Sequence, residues 1–170
     1  KSVTCAITVQ TTPTGVTLSQ TSATLDLSGT KTVQLTATVT PNTANANNGV
    51  TWKSNNTSIA TVSTSGLVTG VKNGSTTITA TTTNGKTASC TITVQTTPTS
   101  VTMSPTSATL DLNGTKTVQL TATANPGTAN INKGITWSSN DSSIATVDKN
   151  SGLVTGVKNG STTITATTEN

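Results

Sequence analysis

This chain says most of itself twice. TSATLDL begins at Thr21 and at Thr106, GTKTVQLTAT begins at Gly29 and at Gly114, and Trp52 answers to Trp137, each pair 85 positions apart. After Val62 and Val147 the second copy gains one residue, and GLVTGVKNGSTTITATT returns 86 positions on, from Gly66 and from Gly152. A one-residue insertion that leaves both flanks intact belongs in a turn, so the repeat is a structural unit and any fold for this chain is built twice.

Within one copy the apolar residues alternate with polar ones. Leu25 and Leu27, then Val33, Leu35, Ala37 and Val39, then Val50 and Trp52 keep a period of two. So do Thr76, Ile78 and Ala80, and Ala88, Cys90, Ile92 and Val94, while Ile59 to Val62 and Leu67 to Val71 are further short apolar runs. That period turns one face of each strand inward. The spacing predicts about seven short strands per copy. Asn-Gly pairs starting at Asn48, Asn73, Asn84, Asn113 and Asn159 predict tight turns with positive φ. No helical period of useful length appears, and threonine, roughly a quarter of the residues, is β-branched and suits strands. Disorder would require high net charge and no alternation; here only 8% of residues are charged. The expected fold class is all-β, an antiparallel β-sandwich repeated in tandem.

The run VTWKSNNTSIATVSTSGLVTGVKNGSTTITATT, from Val50 to Thr82, resembles the signature half of the group 2 bacterial immunoglobulin-like domains, and Ile135 to Thr168 resembles it equally. Val16 to Pro41 and Val101 to Pro126 are similar to the first half of that family. The resemblance covers nearly the whole chain. It implies two tandem immunoglobulin-like sandwiches in an extracellular or cell-surface bacterial protein, a setting shared by adhesins, secreted glycan-active enzymes and phage virion proteins. It carries no catalytic motif.

The residues themselves argue against an enzyme. Without histidine there is no ready base near neutral pH. The five carboxylates, Asp26, Asp111, Asp141, Asp148 and Glu169, include no pair repeated in both copies. Asp26 and Asp111 do repeat, but their leucine neighbours point them outward. Asp141 and Asp148 face Asn56 and Ser63 in the first copy, too few oxygens for calcium; no metal and no cofactor are expected. The nine lysines give a net charge of +4 without arginine, tyrosine or phenylalanine, which argues against nucleic acid. Lys31, Lys116, Lys72 and Lys158 fall at turns without an inward carboxylate, so no Lys–Asn isopeptide bond is expected. The Asn-x-Ser/Thr motifs at Asn56, Asn73, Asn113, Asn140 and Asn159 read as turn chemistry. No stretch is long and apolar enough to insert in a membrane. Trp52 and Trp137 are expected as core anchors, as in other immunoglobulin-type sandwiches.

One segment is out of place. Lys1 to Val9, KSVTCAITV, matches Lys86 to Val94, KTASCTITV, and the second copy stops at Asn170, where its own version would begin. The expected boundaries are therefore 1–9, a stray last strand or donor strand; 10–94, a complete domain; and 95–170, a domain without its final strand. Cys5 and Cys90 sit at equivalent inward positions and are expected as buried free thiols, too far apart for a disulfide. Loss of the last strand removes burial of about 5 kcal/mol, comparable with the net stability of a small domain. The linker Gln95 to Thr99 is short and carries a proline, so the domains are expected to run end to end and Lys1 to Val9 cannot reach the gap in its own chain. Val3, Cys5, Ile7 and Val9 are thus the expected strand-donor interface, closing the C-terminal domain of a neighbouring copy, or of an adjacent repeat in a longer chain, as a structural spacer or fibre. The alternative is an adhesin or carbohydrate-binding module with a cell-surface glycan or protein ligand, or a phage virion decoration domain. The loops Pro41 to Gly49 and Pro126 to Gly134 would carry such binding, yet Ile131 is their only large apolar residue.

Overall fold

Threonine alternating with aliphatic residues forms short strands throughout and no helix among the described residues. The computed structural model describes residues 1–43 and 48–169. It divides into two units, Lys1–Gln95 and Thr96–Asn170. The loop residues 44–47 lie outside the described residues, so the turn expected at Asn48 and the first candidate binding loop are only partly described.

In the first unit the strands are β1 (Gly15–Leu18), β2 (Ser22–Asp26), β3 (Thr32–Gln34), β4 (Ala37–Thr40) and β5 (Val50–Ser54), followed by β6 (Ala60–Val62), β7 (Leu67–Gly70), β8 (Gly74–Thr82) and β9 (Thr87–Gln95). One sheet runs β2-β9-β8-β5, another runs β3-β7-β6, and β1 pairs with β4. Alternation along β8 and β9 buries Thr76, Ile78, Ala80 and Thr82 from one and Cys90, Ile92 and Val94 from the other. These meet Leu25, Leu35, Ala60 and Val68 in a core whose members are essentially sealed from solvent.

The expected count of about seven strands needs correction to nine among the described residues of this unit. Gly15–Leu18 adds a strand, and the run Val33 to Val39 is two strands in different sheets. The break falls where Leu35 N–H donates to Gly66 O (3.0 Å) while Thr36 turns to Ser19. Thr36 N–H donates to Ser19 Oγ (3.1 Å), and Ser19 N–H donates to Thr36 O (2.9 Å). Nor is every pairing antiparallel: β2 lies parallel to β9, Ser22 opposite Thr91 through Asp26 opposite Gln95. The strand after β1 thereby crosses to the second sheet and takes the last strand of the unit as its only partner.

Of the Asn-Gly pairs, Asn84–Gly85 makes the expected hairpin turn between β8 and β9, with Gly85 at φ 84° and its N–H on Thr82 O (2.9 Å). Gly74 and Gly160 also take positive φ, 146° and 158°, and there the missing side chain serves packing as well, since a Cβ would lie 3.0 Å from Ile59 Cδ1 and 2.8 Å from Ile144 Cδ1 respectively.

The second unit holds β10 (Ser100–Ser104), β11 (Thr117–Gln119), β12 (Thr121–Asn125), β13 (Ile135–Ser139), β14 (Ala145–Val147), β15 (Leu153–Gly156) and β16 (Ile164–Thr168). Sheet β11-β15-β14 repeats β3-β7-β6, and β10–β12 repeats β1–β4. The four-stranded sheet is reduced to β13–β16 alone.

Candidate functional site

The two units differ most plainly in one sheet, where residues 96–169 contain no strand equivalent to β9. In the first unit β9 lies between β8 and β2, antiparallel to one and parallel to the other. Among residues 96–169 nothing occupies that position. Ser107–Asp111, the counterpart of β2, forms no strand because its only partner would be a second β9. β16 starts at Ile164, whereas β8 starts at Gly74, the counterpart of Gly160. Four residues of strand, 160–163, are lost at the stretch whose counterparts pair with Thr91–Val94.

What remains is a groove of about 450 Å³ in the second unit, floored by Met103, Leu110, Leu112, Val118, Ile144 and Ile164 among its lining residues. The core beneath is correspondingly looser. Ile78 and Ala80 are fully buried, while Ile164 and Ala166 are only half-buried. Leu25 is 1% exposed, and its counterpart Leu110 is half-buried. Within residues 96–169 no strand pairs along this edge of the sheet.

The segment with the matching pattern is Lys1 to Val9. It forms no strand, and Val3, Ile7 and Val9 are 97%, 79% and 80% exposed. The expectation of two buried thiols is therefore half wrong: Cys90 is buried and Cys5 is exposed. A lone amphipathic strand has nothing to bury its apolar face against and does not hold its shape. Burial pushes the Cys90 thiol above its ordinary pKa.

Elsewhere the candidate groups are absorbed by local structure. Trp137 is buried, Trp52 is half-buried, and each ring packs into its own core. Asp141 Oδ1 accepts from Ser143 N–H (2.9 Å) and from Ser143 Oγ–H (2.7 Å). Asp148 Oδ1 accepts from Asn150 N–H (3.1 Å) and Ser151 N–H (2.7 Å). Both carboxyls are held below the usual range by these donors, Ser143 first for Asp141 and Ser151 first for Asp148. Their counterparts Asn56 and Ser63 cap the same turns in the first unit through Ser58 N–H and Leu67 N–H. Asp26 and Asp111 likewise each accept the N–H two residues on. Side chains of this kind are chosen by turns, whatever else they do. Among the described residues no three Cys, Asp or Glu side chains gather as a metal site. Among the described residues no helix is long and apolar enough to cross a membrane. The loop from Pro126 is tied down, with Ala129 buried and Asn130 bonded both ways to Thr96 (Thr96 N–H to Asn130 Oδ1, 2.7 Å; Asn130 N–H to Thr96 O, 3.0 Å).

The residue pattern did not show that two segments, 107–111 and 160–163, would both lack a ladder. The parallel pairing of β2 with β9 means that one absent strand unpairs two, and nothing in the alternation of SATLD distinguishes a parallel neighbour from an antiparallel one.

The profile of the bacterial Ig-like domain (group 2) matches residues 12–92 and again 98–170. Ice-binding protein 1 of Shewanella frigidimarina is 40% identical over 139 residues, 79% of this chain and 15% of that protein. An uncharacterized protein of Clostridium acetobutylicum is 36% identical over 134 residues, 78% of this chain and 13% of that protein. The chain thus spans a small fraction of the curated relatives it matches. Among solved structures, a C-terminal fragment of intimin in complex with the intimin-binding domain of its translocated receptor aligns over 92% of this chain and 60% of that one, at 21% identity and a TM-score of 0.44.

Proposed function

The chain belongs to the group 2 bacterial Ig-like domain family, and on that footing we propose that it is a structural spacer of an extracellular bacterial protein. Each C-terminal sandwich is closed by a strand equivalent to residues 1–9 from a neighbouring unit, so that units join head to tail. The observation that carries this reading is the groove itself. It lies where β9 lies in the first unit, and Val3, Cys5, Ile7 and Val9 repeat the inward positions of Ala88, Cys90, Ile92 and Val94. The small share of each relative that the chain covers supports a modular segment within much longer proteins. A head-to-tail contact uses two different surfaces and does not close on itself, which suits a rod or fibre. The bound turns and the tied loop from Pro126 supply scaffold more readily than a ligand site.

Sedimentation of the full chain over a wide concentration range tests the reading. Growing oligomers are expected, together with a higher melting temperature of the second unit when a peptide of residues 1–10 is added in excess. A chain that stays monomeric near millimolar concentration, and a melt that the peptide leaves unmoved, would show that the groove is not a docking site.

A further inference from the structure

We propose that the chain carries a self-modifying turn: Asn113, next to Gly114, loses its side-chain amide without an enzyme and becomes aspartate or isoaspartate, while Asn84, next to Gly85, is held against the same reaction. This is independent of how the units join. An Asn-Gly pair suits the chemistry because glycine has no side chain to hinder its own nitrogen from reaching the asparagine Cγ. Both turns carry the same two backbone bonds. Thr82 N–H donates to Lys86 O and Gly85 N–H to Thr82 O, each at 2.9 Å, while Asp111 N–H donates to Thr115 O (3.0 Å) and Gly114 N–H to Asp111 O (3.1 Å). Asn84, Gly85, Asn113 and Gly114 are all exposed, so neither access of water nor the bond on the attacking nitrogen separates the two. The side-chain amides do. Asn84 Nδ2 donates to Pro13 O (2.6 Å) and Asn84 Oδ1 accepts from Thr82 Oγ1–H (2.7 Å), which pins both ends of the amide. The Asn113 amide has no hydrogen-bond partner among the described residues, and only the Asn113 backbone N–H is fastened, to Asp111 Oδ1 at 2.9 Å.

The turn 111–115 does not owe its form to the unpaired sheet edge. In the first unit, where β2 is paired with β9, Asp26 N–H donates to Thr30 O (2.8 Å), Gly29 N–H to Asp26 O (3.0 Å) and Ser28 N–H to Asp26 Oδ1 (2.8 Å), the same three bonds. Ser28 stands there in place of the asparagine and has no amide to lose. Of the other Asn-Gly pairs, Asn48 Nδ2 donates to Asn42 Oδ1 (3.0 Å), and Asn73 is also engaged. Asn159 stands beside the unpaired edge, and its freedom belongs to that edge.

In the reaction a base in solution takes the Gly114 N–H proton, the nitrogen attacks Asn113 Cγ, and the Cγ–Nδ2 bond breaks with release of ammonia. A five-membered succinimide results. Water then opens it at Cγ, giving aspartate, or at the α-carbonyl, giving isoaspartate, whose backbone runs through the former side chain. One water is consumed and one ammonia released, and nothing is oxidised or reduced. Isoaspartate adds an atom to the ring that Gly114 N–H and Asp111 O close, and either product sets a second carboxylate beside Asp111, so the turn loosens.

Peptide mapping of the full chain, aged at pH 8 and 37 °C, tests the proposal. Trypsin cleavage after Lys86 and Lys116 gives a peptide of residues 87–116 in which Asn113 is the sole asparagine, and fragmentation of residues 73–86 separates Asn84 from Asn73. In the folded chain Asn113 is expected to convert at least tenfold faster than Asn84, a gap worth roughly 1.4 kcal/mol, within what one hydrogen bond supplies. In guanidinium chloride the two rates should converge, and the Asn113 rate should rise with pH because the attacking nitrogen must lose its proton. Ser28→Asn places the same amide in the turn of the first unit, within a tryptic peptide, residues 2–31, that holds no other asparagine. It is expected to convert as fast as Asn113. Equal rates at Asn113 and Asn84 in the folded chain show that the pinned amide is not protected, and a gap that survives in denaturant shows that neighbouring sequence sets it; either overturns the proposal. A slow amide at position 28 beside a fast Asn113 overturns it too, because the reactivity would then come from looseness of the second unit and not from the turn.

Discussion

Glycines at two equivalent turns show how closely single residues are specified. Gly66 and Gly152 have φ of 83° and 76°, a backbone that side chains resist. A Cβ on Gly66 would meet Leu35 O at 2.5 Å and Trp52 Cζ2 at 2.8 Å; one on Gly152 would meet Trp137 Cε2 at 2.6 Å and Leu120 O at 2.9 Å. Backbone strain and ring displacement act together, so Gly152→Ala is expected to cost the second unit about 2–4 kcal/mol in urea titration. A loss below about 0.5 kcal/mol would mean that the tryptophan can move aside freely. The thiols give a second residue-scale test. Cys5 is exposed and Cys90 is buried with a raised pKa, so a thiol reagent at pH 8 should modify one cysteine at once in dilute chain and the other only on unfolding. Association should then protect Cys5 as well. The inward parity of Cys90, Ile92 and Val94 could be read directly from their alternation. The exposure of Cys5 could not, because parity states which face a residue takes and not whether a partner sheet is present.

At the scale of the element, the same chemical change should have opposite outcomes at equivalent positions. Ile92 is fully buried in β9, so Ile92→Asp places a charge in the first core and is expected to cost more than about 4 kcal/mol, enough to unfold that unit. Ile7 is 79% exposed, and Ile7→Asp should leave the melting of the separate chain within about 0.5 kcal/mol of the parent while abolishing association in sedimentation. A variant that still associates would place the contact elsewhere. Most strands were legible because a half-buried face repeats every second residue. Three features were not: the extra strand Gly15–Leu18, the break between β3 and β4, and the parallel seat of β2. Each depends on which sheet a strand joins. A run such as VQLTATV alternates equally well across a crossover, and only the bonds from Thr36 to Ser19 reveal the break.

For the whole molecule, two units of nearly the same sequence should not respond alike to acid. Asp141 and Asp148 are both held below the ordinary carboxylate pKa by serine donors, whereas the first unit has Asn56 and Ser63 at those turns. A depressed folded pKa contributes stability that is fully present above the unfolded value of about 3.9 and disappears as pH falls through the folded value. Acid should therefore draw down the transition of the second unit while these two turns cost the first nothing. Calorimetry at pH 7 and at about pH 2.5 reads this as a widening gap between two transitions, the looser core of the second unit melting first at either pH. Replacing the pair by its first-unit counterparts, Asp141→Asn with Asp148→Ser, should remove the added acid sensitivity, because neutral caps make the same turns without a proton to gain. Since the open edge lies in the same unit, docking of residues 1–10 should raise that lower transition at both pH values and leave the acid-dependent part of the gap in place. If the double variant keeps the full widening, the sensitivity arises from the open edge and not from the capped turns.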